Sequence, residues 1–474
     1  VNQSIIRLFG VVVLLFTLLV VWTSRWTVFQ ATALQDNSLN KLSYYASLKV
    51  RRGRILADDR SVLARSVPAP GGTWNRTYPF GPLFAQPVGY DIVKLGSAAG
   101  LERYRSQALS GTLKTGLSSV FGPLGGDKPV GDDVYTTLDP TGQRLARTLL
   151  AGRAGAVVAI VPQTGAVKVM YANPSYDDNH PQAPGATLFD RATQGEYPPG
   201  STFKVVTTAA ALDSGRYTPS STINGKSPIT ISGVPLANDN NEQFGYVSLA
   251  DALTHSINTV YAQVGEAVGI QTMATYMKRF GFYSTPPLDL PSDEMSASGE
   301  RNPANGRLLS PTSNLIDLGR MAIGQDKLTV TPLQMAMVAS AVADGGTLMK
   351  PRLTARVVNP EGQTVQAFGP SVYSQVMKPS SAAELKQMMT NVVEEGTGQA
   401  ANLVGLRVAG KTGTAQVGGP GSNLDDPWFI GLAPVDHPRI AVAVALERIP
   451  NGYGGTYAAP IAAQIMKTLI GEGF

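Results

Sequence analysis

The nine residues from Glu196 to Lys204 read Glu-Tyr-Pro-Pro-Gly-Ser-Thr-Phe-Lys and set a candidate nucleophile, Ser201, three positions ahead of a candidate base, Lys204. Two prolines and a glycine cannot continue a strand or sit inside a helix, whereas Thr202 to Leu212 is mostly good helix material. A helix is therefore expected to begin at Gly200 or Ser201. Lys204 then projects from the same face one turn later, within reach of the Ser201 hydroxyl. A free lysine, pKa ~10.4, is protonated at neutral pH, so it can act as a base only if burial or a second cation lowers that value. A shift of about three units corresponds to roughly 4 kcal/mol. The helix start adds free N–H groups and a partial positive charge, suited to an oxyanion forming beside Ser201.

Ser-x-x-Lys alone is a weak signal, because Ser38 to Lys41 repeats it without Pro-Pro-Gly. Two further motifs follow Ser201, Ser256-Ile257-Asn258 and Lys411-Thr412-Gly413-Thr414. Each has a decoy, Ser38-Leu39-Asn40 and Lys114-Thr115-Gly116, but a single set runs in the right order. Ser-x-x-Lys, Ser-Asp-Asn and Lys-Thr-Gly are the signature of penicillin-binding proteins and class A β-lactamases; here Ile257 replaces the middle aspartate. On these residues the chain resembles the class B penicillin-binding proteins, membrane-anchored D,D-transpeptidases that cross-link peptidoglycan. Further blocks carry the likeness through nearly the whole chain: Arg52-Gly53-Arg54-Ile55, Val134 to Asp139, Pro162-Gln163-Thr164-Gly165, Asn173 to Asp177, Gly324-Gln325, Thr331-Pro332-Leu333-Gln334 and Trp428-Phe429. One departure is Ala57-Asp58-Asp59-Arg60, where the family often has a turn with Asp and Gly.

The resemblance implies roles. Ser256 would relay a proton between Lys204 and the leaving group, and Asn258 would orient the substrate amide. Thr412, Gly413 and Thr414 would bind substrate, the two hydroxyls meeting a carboxylate, and the Thr414 N–H would complete an oxyanion hole with that of Ser201. Lys411, on an expected edge strand facing the cleft, is the second cation that would depress Lys204. An edge-strand lysine facing a cleft contributes little to a core. His255 adjoins Ser256, but neighbours on a helix point in different directions, which argues against a Ser-His-Asp arrangement. Trp428 and Phe429 read as core. Tyr176 and Asp177 would lie on a loop near the cleft, by resemblance.

Composition narrows the alternatives. A net charge of +5 without a long basic run makes nucleic acid a poor partner, and the absence of cysteine excludes disulfide and thiol chemistry. Three dispersed histidines, His180, His255 and His437, do not suggest a metal site, and no cofactor is expected.

Leu8 to Ser24 is uncharged and apolar between Arg7 and Arg25, with Trp22 and Trp26 as interface anchors, and reads as a short spanning helix. A cleaved signal peptide ending near Ala31-Thr32-Ala33 is the rival. Val1 is not a methionine, which is compatible with residues ahead of it. The expected organisation is an anchor over 1–30, an irregular α+β pedestal over 31–150 and a transpeptidase domain over 151–474. In that last domain Ala156 to Val161 and Ala166 to Ala172 form a hairpin. Arg407 to Gln416, Trp428 to Ala433 and Ile440 to Leu446 complete a five-stranded antiparallel sheet. Ile440, Val442, Val444 and Leu446 alternate with Ala441, Ala443 and Ala445, so that strand is central, and Ala458 to Ile470 is the helix expected on its alanine face. A mainly helical insert holds Ser201 and Ser256, with Asp139 and Thr331 capping helices that begin with proline. The resemblance gives this α+β build the penicillin-binding, β-lactamase-like fold.

The expected activity is transpeptidation through a Ser201 acyl-enzyme on peptidoglycan stem peptides, with β-lactams as stalled substrates. The resemblance adds a SEDS-family glycosyltransferase as membrane partner and places the catalytic domain outside the plasma membrane. The alternatives are a D,D-carboxypeptidase, a β-lactamase, or a membrane scaffold or sensor whose pedestal regulates a glycan polymerase.

Overall fold

The computed structural model describes residues 2–25, 47–112, 130–419 and 421–472. Trp26, Ala31-Thr32-Ala33 and the decoy motifs at 38–41 and 114–116 lie outside the described residues. Helix α1 (Gln3–Ser24) takes in Arg7 and is longer than the uncharged run. Its 22 residues reach about 33 Å, enough to cross a bilayer core of roughly 30 Å.

The N-terminal sheet begins with β1 (Ile55–Leu56), β2 (Val62–Ala69), β3 (Thr73–Thr77) and β4 (Asp133–Thr136). The turn between β1 and β2 closes without glycine: Arg60 takes φ +68°, the Ala57 N–H donates to Ser61 O at 2.9 Å, and Asp59 accepts from the Ser61 N–H at 2.8 Å. Behind this sheet Arg52 and Arg76 converge on the fully buried Glu102. Burial alone would raise that carboxyl, but the two guanidiniums outweigh it and hold it below its ordinary value.

Helix α2 (Pro140–Leu149) starts as expected, with Asp139 accepting from the Gly142 N–H. Strands β5 (Gly155–Val161) and β6 (Ala166–Asn173) form the expected hairpin. The helical half follows, with α3 (Lys204–Asp213), α4 (Leu249–Thr254), α5 (Asn258–Val268) and α6 (Pro332–Ala343). Thr331 caps α6 through the Gln334 N–H, but the reciprocal half of the capping box is missing. The Gln334 side chain donates to Phe280 O instead, and the Thr331 N–H finds Ser298 Oγ. Tertiary acceptors at 2.8 and 3.1 Å displace the local one.

Strands β7 (Thr354–Val358) and β8 (Thr364–Ala367) then return to the N-terminal sheet, whose order is β8-β7-β4-β1-β2-β3. The pedestal sheet is thus built from the N-terminal region and from a segment that follows the helical half. After α7 (Pro379–Glu394) come β9 (Ala409–Val417), β10 (Leu424–Ala433) and β11 (Ile440–Leu446), and finally α8 (Ala459–Gly471). The second sheet has the order β9-β10-β11-β5-β6, with the short strand Ile449–Pro450 paired to β10. The five expected strands are present and antiparallel, and β11 is central.

The alanine face of β11 is not the one that α8 covers. Ala445 pairs with Trp428, whose Cβ neighbours Gly413, Pro199 and Thr202, so the alanines face the helical half. Val442 is in register with Ala159 and, through it, Val169, which meets Leu469 of α8. The longer side chains bridge the wider gap to the C-terminal helix, and the alanines admit the helical half at close range.

Candidate functional site

Ser201 lies in a 3-10 turn, Gly200–Phe203, that runs directly into α3. Two glycines lock this turn in place. Gly200 has φ +51° and stacks on the Thr414 backbone, and Gly324, φ +77°, comes so close that a Cβ there would lie 2.0 Å from Gly200 O. The Gly200 N–H donates to Gly324 O at 3.0 Å. The expected helix start is observed, and it abuts the Lys-Thr-Gly strand.

Every residue of α3 is buried, so Lys204 is carried inside with it. Its amine donates to Ser256 O at 2.6 Å, to Asn258 Oδ1 at 2.7 Å and to Ser256 Oγ at 3.2 Å. Three acceptors match the three donors of an ammonium. The Ser201 hydroxyl, the expected partner, is not among the hydrogen bonds of this amine within the described residues, because Ser256 and Asn258 take all three positions. Ser256 reaches the amine with two atoms because it sits at φ +60° between α4 and α5, which turns its carbonyl inward. A left-handed conformation is uncommon for a serine and clusters at functional sites. Asn258 opens α5, and Tyr261 one turn later places its ring 5.6 Å from the Lys204 amine. Burial drives the Lys204 pKa well below its ordinary value. Lys411 lowers it further and Asp239 opposes.

Lys411, on the edge strand β9, shares the face of Gly413 that meets Pro199 and Thr202. The expectation that this lysine stands outside the core is corrected: its side chain is wholly buried, and its amine donates to Thr412 O at 3.1 Å. Burial brings its pKa down to about 7, against Asp239. Gly413 has no room for a side chain, since a Cβ would lie 2.7 Å from Pro199 O. Thr412 Oγ1 is 2.6 Å from Thr397 Oγ1, and Thr414 Oγ1 accepts from the Gly454 N–H at 3.2 Å.

These residues line one cleft of about 400 Å³, which includes Ser201, Ser256, Asn258, Thr412, Gly413 and Thr414. Lys204, fully buried, bonds the lining residues Ser256 and Asn258, and the equally buried Lys411 bonds Thr412 O. Motif reading missed Asp239, Gln325, Thr397 and the Tyr453–Thr456 loop, which share the lining. Gln325 alone had a signal, in the Gly324-Gln325 block.

The family model described as the penicillin binding protein transpeptidase domain matches residues 155–467, well over half of the chain. The chain belongs to the penicillin-binding protein transpeptidase family. A second model, the penicillin binding protein A dimerisation domain, matches residues 52–134. The peptidoglycan D,D-transpeptidase PbpA of Mycolicibacterium smegmatis is 31% identical over 100% of both chains, and that of Mycobacterium tuberculosis 30% identical over 99% of each. Among solved structures, the penicillin G acyl-enzyme complex of penicillin-binding protein A from M. tuberculosis superposes with a TM-score of 0.76 at 29% identity. It covers 89% of this chain and 99% of that one. The D,D-transpeptidase domain of a peptidoglycan glycosyltransferase from Eggerthella lenta gives 0.76 at 30%, covering 90% and 99%.

In this penicillin-binding protein Trp428 and Phe429 are fully buried, as expected of core residues. His255 stacks on Phe244, away from the Lys204 amine. Tyr176 and Asp177 lie at the junction with the pedestal, not at the cleft. The Tyr176 hydroxyl donates to Ala85 O, and Asp177 holds Asn179, which pairs with the Tyr78 backbone.

Proposed function

We propose that this protein is a peptidoglycan D,D-transpeptidase that acts through a Ser201 acyl-enzyme. The observation that carries the reading is the convergence of the three motifs on one cleft, with a buried Lys204 hydrogen-bonded to Ser256 and Asn258. An ammonium fills all three acceptors; the neutral amine has two donors and one lone pair. Loss of a proton therefore leaves one lone pair in place of a donor, and Ser256 Oγ, its longest contact, is the acceptor the amine gives up, which opens that direction to the Ser201 proton.

In the first step Ser201 Oγ bonds to the carbonyl carbon of the penultimate D-Ala. The Ser201 proton passes to Lys204 and reaches the departing D-Ala nitrogen through Ser256. The N–H groups of Ser201 and Thr414 hold the oxyanion, each worth roughly 10²–10³ in rate. In the second step an amine of a neighbouring stem attacks the ester, an amide forms, and Ser201 Oγ regains a proton. Asn258 orients the donor amide, and Thr412, Gly413 and Thr414 receive its carboxylate. A β-lactam acylates Ser201 in the same way and keeps its leaving group tethered.

Helix α1 serves as a single-pass plasma-membrane anchor with the cleft outside, 31–150 as pedestal and 151–474 as catalytic domain. A SEDS-family glycosyltransferase is the partner of anchor and pedestal, so substitutions over Arg54 to Leu63 lower its polymerisation without changing acylation. The activity is tested with a D-Ala-D-Ala-terminated stem peptide and an amine acceptor. Release of D-Ala with formation of the cross-linked amide supports the reading. Release with hydrolysed donor alone replaces it with a carboxypeptidase.

A further inference from the structure

Asp239 belongs to none of the three motifs, yet it faces them. It lies exposed at the mouth of the cleft, with Oδ1 3.3 Å from Asn258 Nδ2. The same Nδ2 is 3.5 Å from Ala237 O, while the opposite end of the amide accepts from Lys204 at 2.7 Å. The two ends of an asparagine amide are nearly equal in shape, so their assignment follows from their partners. A carboxylate and a carbonyl only accept, and together they demand the NH₂ end, which leaves Oδ1 for Lys204. The charged groups that face Lys204 are Lys411 from β9 and Asp239 from this loop, with the Tyr261 ring from α5. Among the described residues Asp239 is the one carboxylate that acts on both lysines.

We propose that Asp239 is a positioning residue of this site: it fixes the Asn258 amide with Oδ1 toward Lys204 and is the counter-charge of the buried Lys204–Lys411 pair. The inference rests on the reading of Ser201 as acylated nucleophile and Lys204 as its base. Two consequences differ in sign. Loss of the carboxylate frees the amide to flip, which lowers the limiting rate of acylation. It also removes an attraction for the Lys204 ammonium, so the free amine persists to lower pH. Because Asp239 is exposed, salt weakens its influence.

The test follows acylation by a fluorescent penicillin across a pH series in wild type, Asp239→Asn and Asp239→Glu. In Asp239→Asn the limiting rate is expected to fall several-fold while the acid limb moves down by about half a pH unit or more. Asp239→Glu returns the limb toward wild type. Added salt shifts the wild-type limb downward and leaves that of Asp239→Asn in place. A purely structural role would lower the rate and leave the limb unmoved, which overturns the proposal. Titration of Lys204 by carbon NMR of labelled lysine makes the same comparison without acylation. A lower midpoint in Asp239→Asn supports the proposal, and an unchanged midpoint overturns it. A wild-type protein that takes no label on Ser201 overturns the acylation reading instead, and the NMR comparison still decides Asp239.

Discussion

The Lys204 amine lies 2.6 Å from the main-chain carbonyl of Ser256, a residue held at φ +60°. This contact does not depend on the serine side chain, so it is separable from the proton relay proposed for the Ser256 hydroxyl. Ser256→Gly keeps the carbonyl and suits the left-handed backbone, while the hydroxyl is lost. Acylation is expected to slow by about 10²–10⁴, the range for a lost proton-transfer group, while stability stays within about 1 kcal/mol of wild type. Penicillin labelling kinetics and thermal unfolding check the two halves.

Lys411 shows function and stability pulling apart. Its pKa is lowered to about 7 by burial, so in the window from there to 10.5 the unfolded chain binds a proton that the folded protein does not. Stability then rises with pH through that window. Lys411→Met removes the cost of burying the charge. It is expected to gain on the order of 2 kcal/mol at neutral pH, with the gain shrinking toward about pH 10, while acylation slows because the charge beside Lys204 is gone. Thermal unfolding at several pH values checks this; a variant that melts lower than wild type at neutral pH would contradict it.

Glu300 gives the opposite sign. Its carboxyl is buried with no side-chain donor on either oxygen, and the hydrogen bond offered by the Lys327 backbone does not offset that burial. Burial, with a smaller contribution from Asp326, raises its pKa to about 8. The folded protein keeps this proton where the unfolded chain has lost it, so stability falls as pH rises from 4.5 to about 8. Glu300→Gln should flatten that slope and stabilise by on the order of 2 kcal/mol above pH ~8. Chemical denaturation of both proteins along a pH series provides the comparison.

Gly324 supports Ser201 without touching it through a side chain. Gly324→Ala forces a Cβ against Gly200 O and strains a residue at φ +77°. A loss of about 2–4 kcal/mol is expected, and the folded fraction should acylate at least about tenfold more slowly because the Ser201 turn is displaced. Unfolding midpoints and labelling rates corrected for folded fraction separate the two effects.

What the sequence disclosed and what it withheld divide along the range of the interactions. The start of the Ser201 helix was legible because Pro198, Pro199 and Gly200 act locally, and β11 was legible because its alternation is local. Lys411 was assigned to the correct strand but not to the interior, since the residues that cover it come from the helical half. The return of β7 and β8 to the pedestal sheet had no local signal, because Thr354 pairs with Thr136 across more than two hundred residues. Gln334 matched a capping box and then bonded Phe280, a partner no local rule contains. Asp239 was invisible for the same reason: an acid in a polar loop acquires meaning only when Asn258 is set beside it.

In the proposed mechanism Ser201 carries the acyl group. The direct measurement is labelling of the full chain with a fluorescent penicillin, followed by proteolysis and mass mapping of the modified peptide. The expected result is one labelled residue, Ser201, with no label in Ser201→Ala although that variant unfolds at the wild-type temperature. Label on Ser38 or Ser256, or undiminished label in a folded Ser201→Ala, would contradict the account.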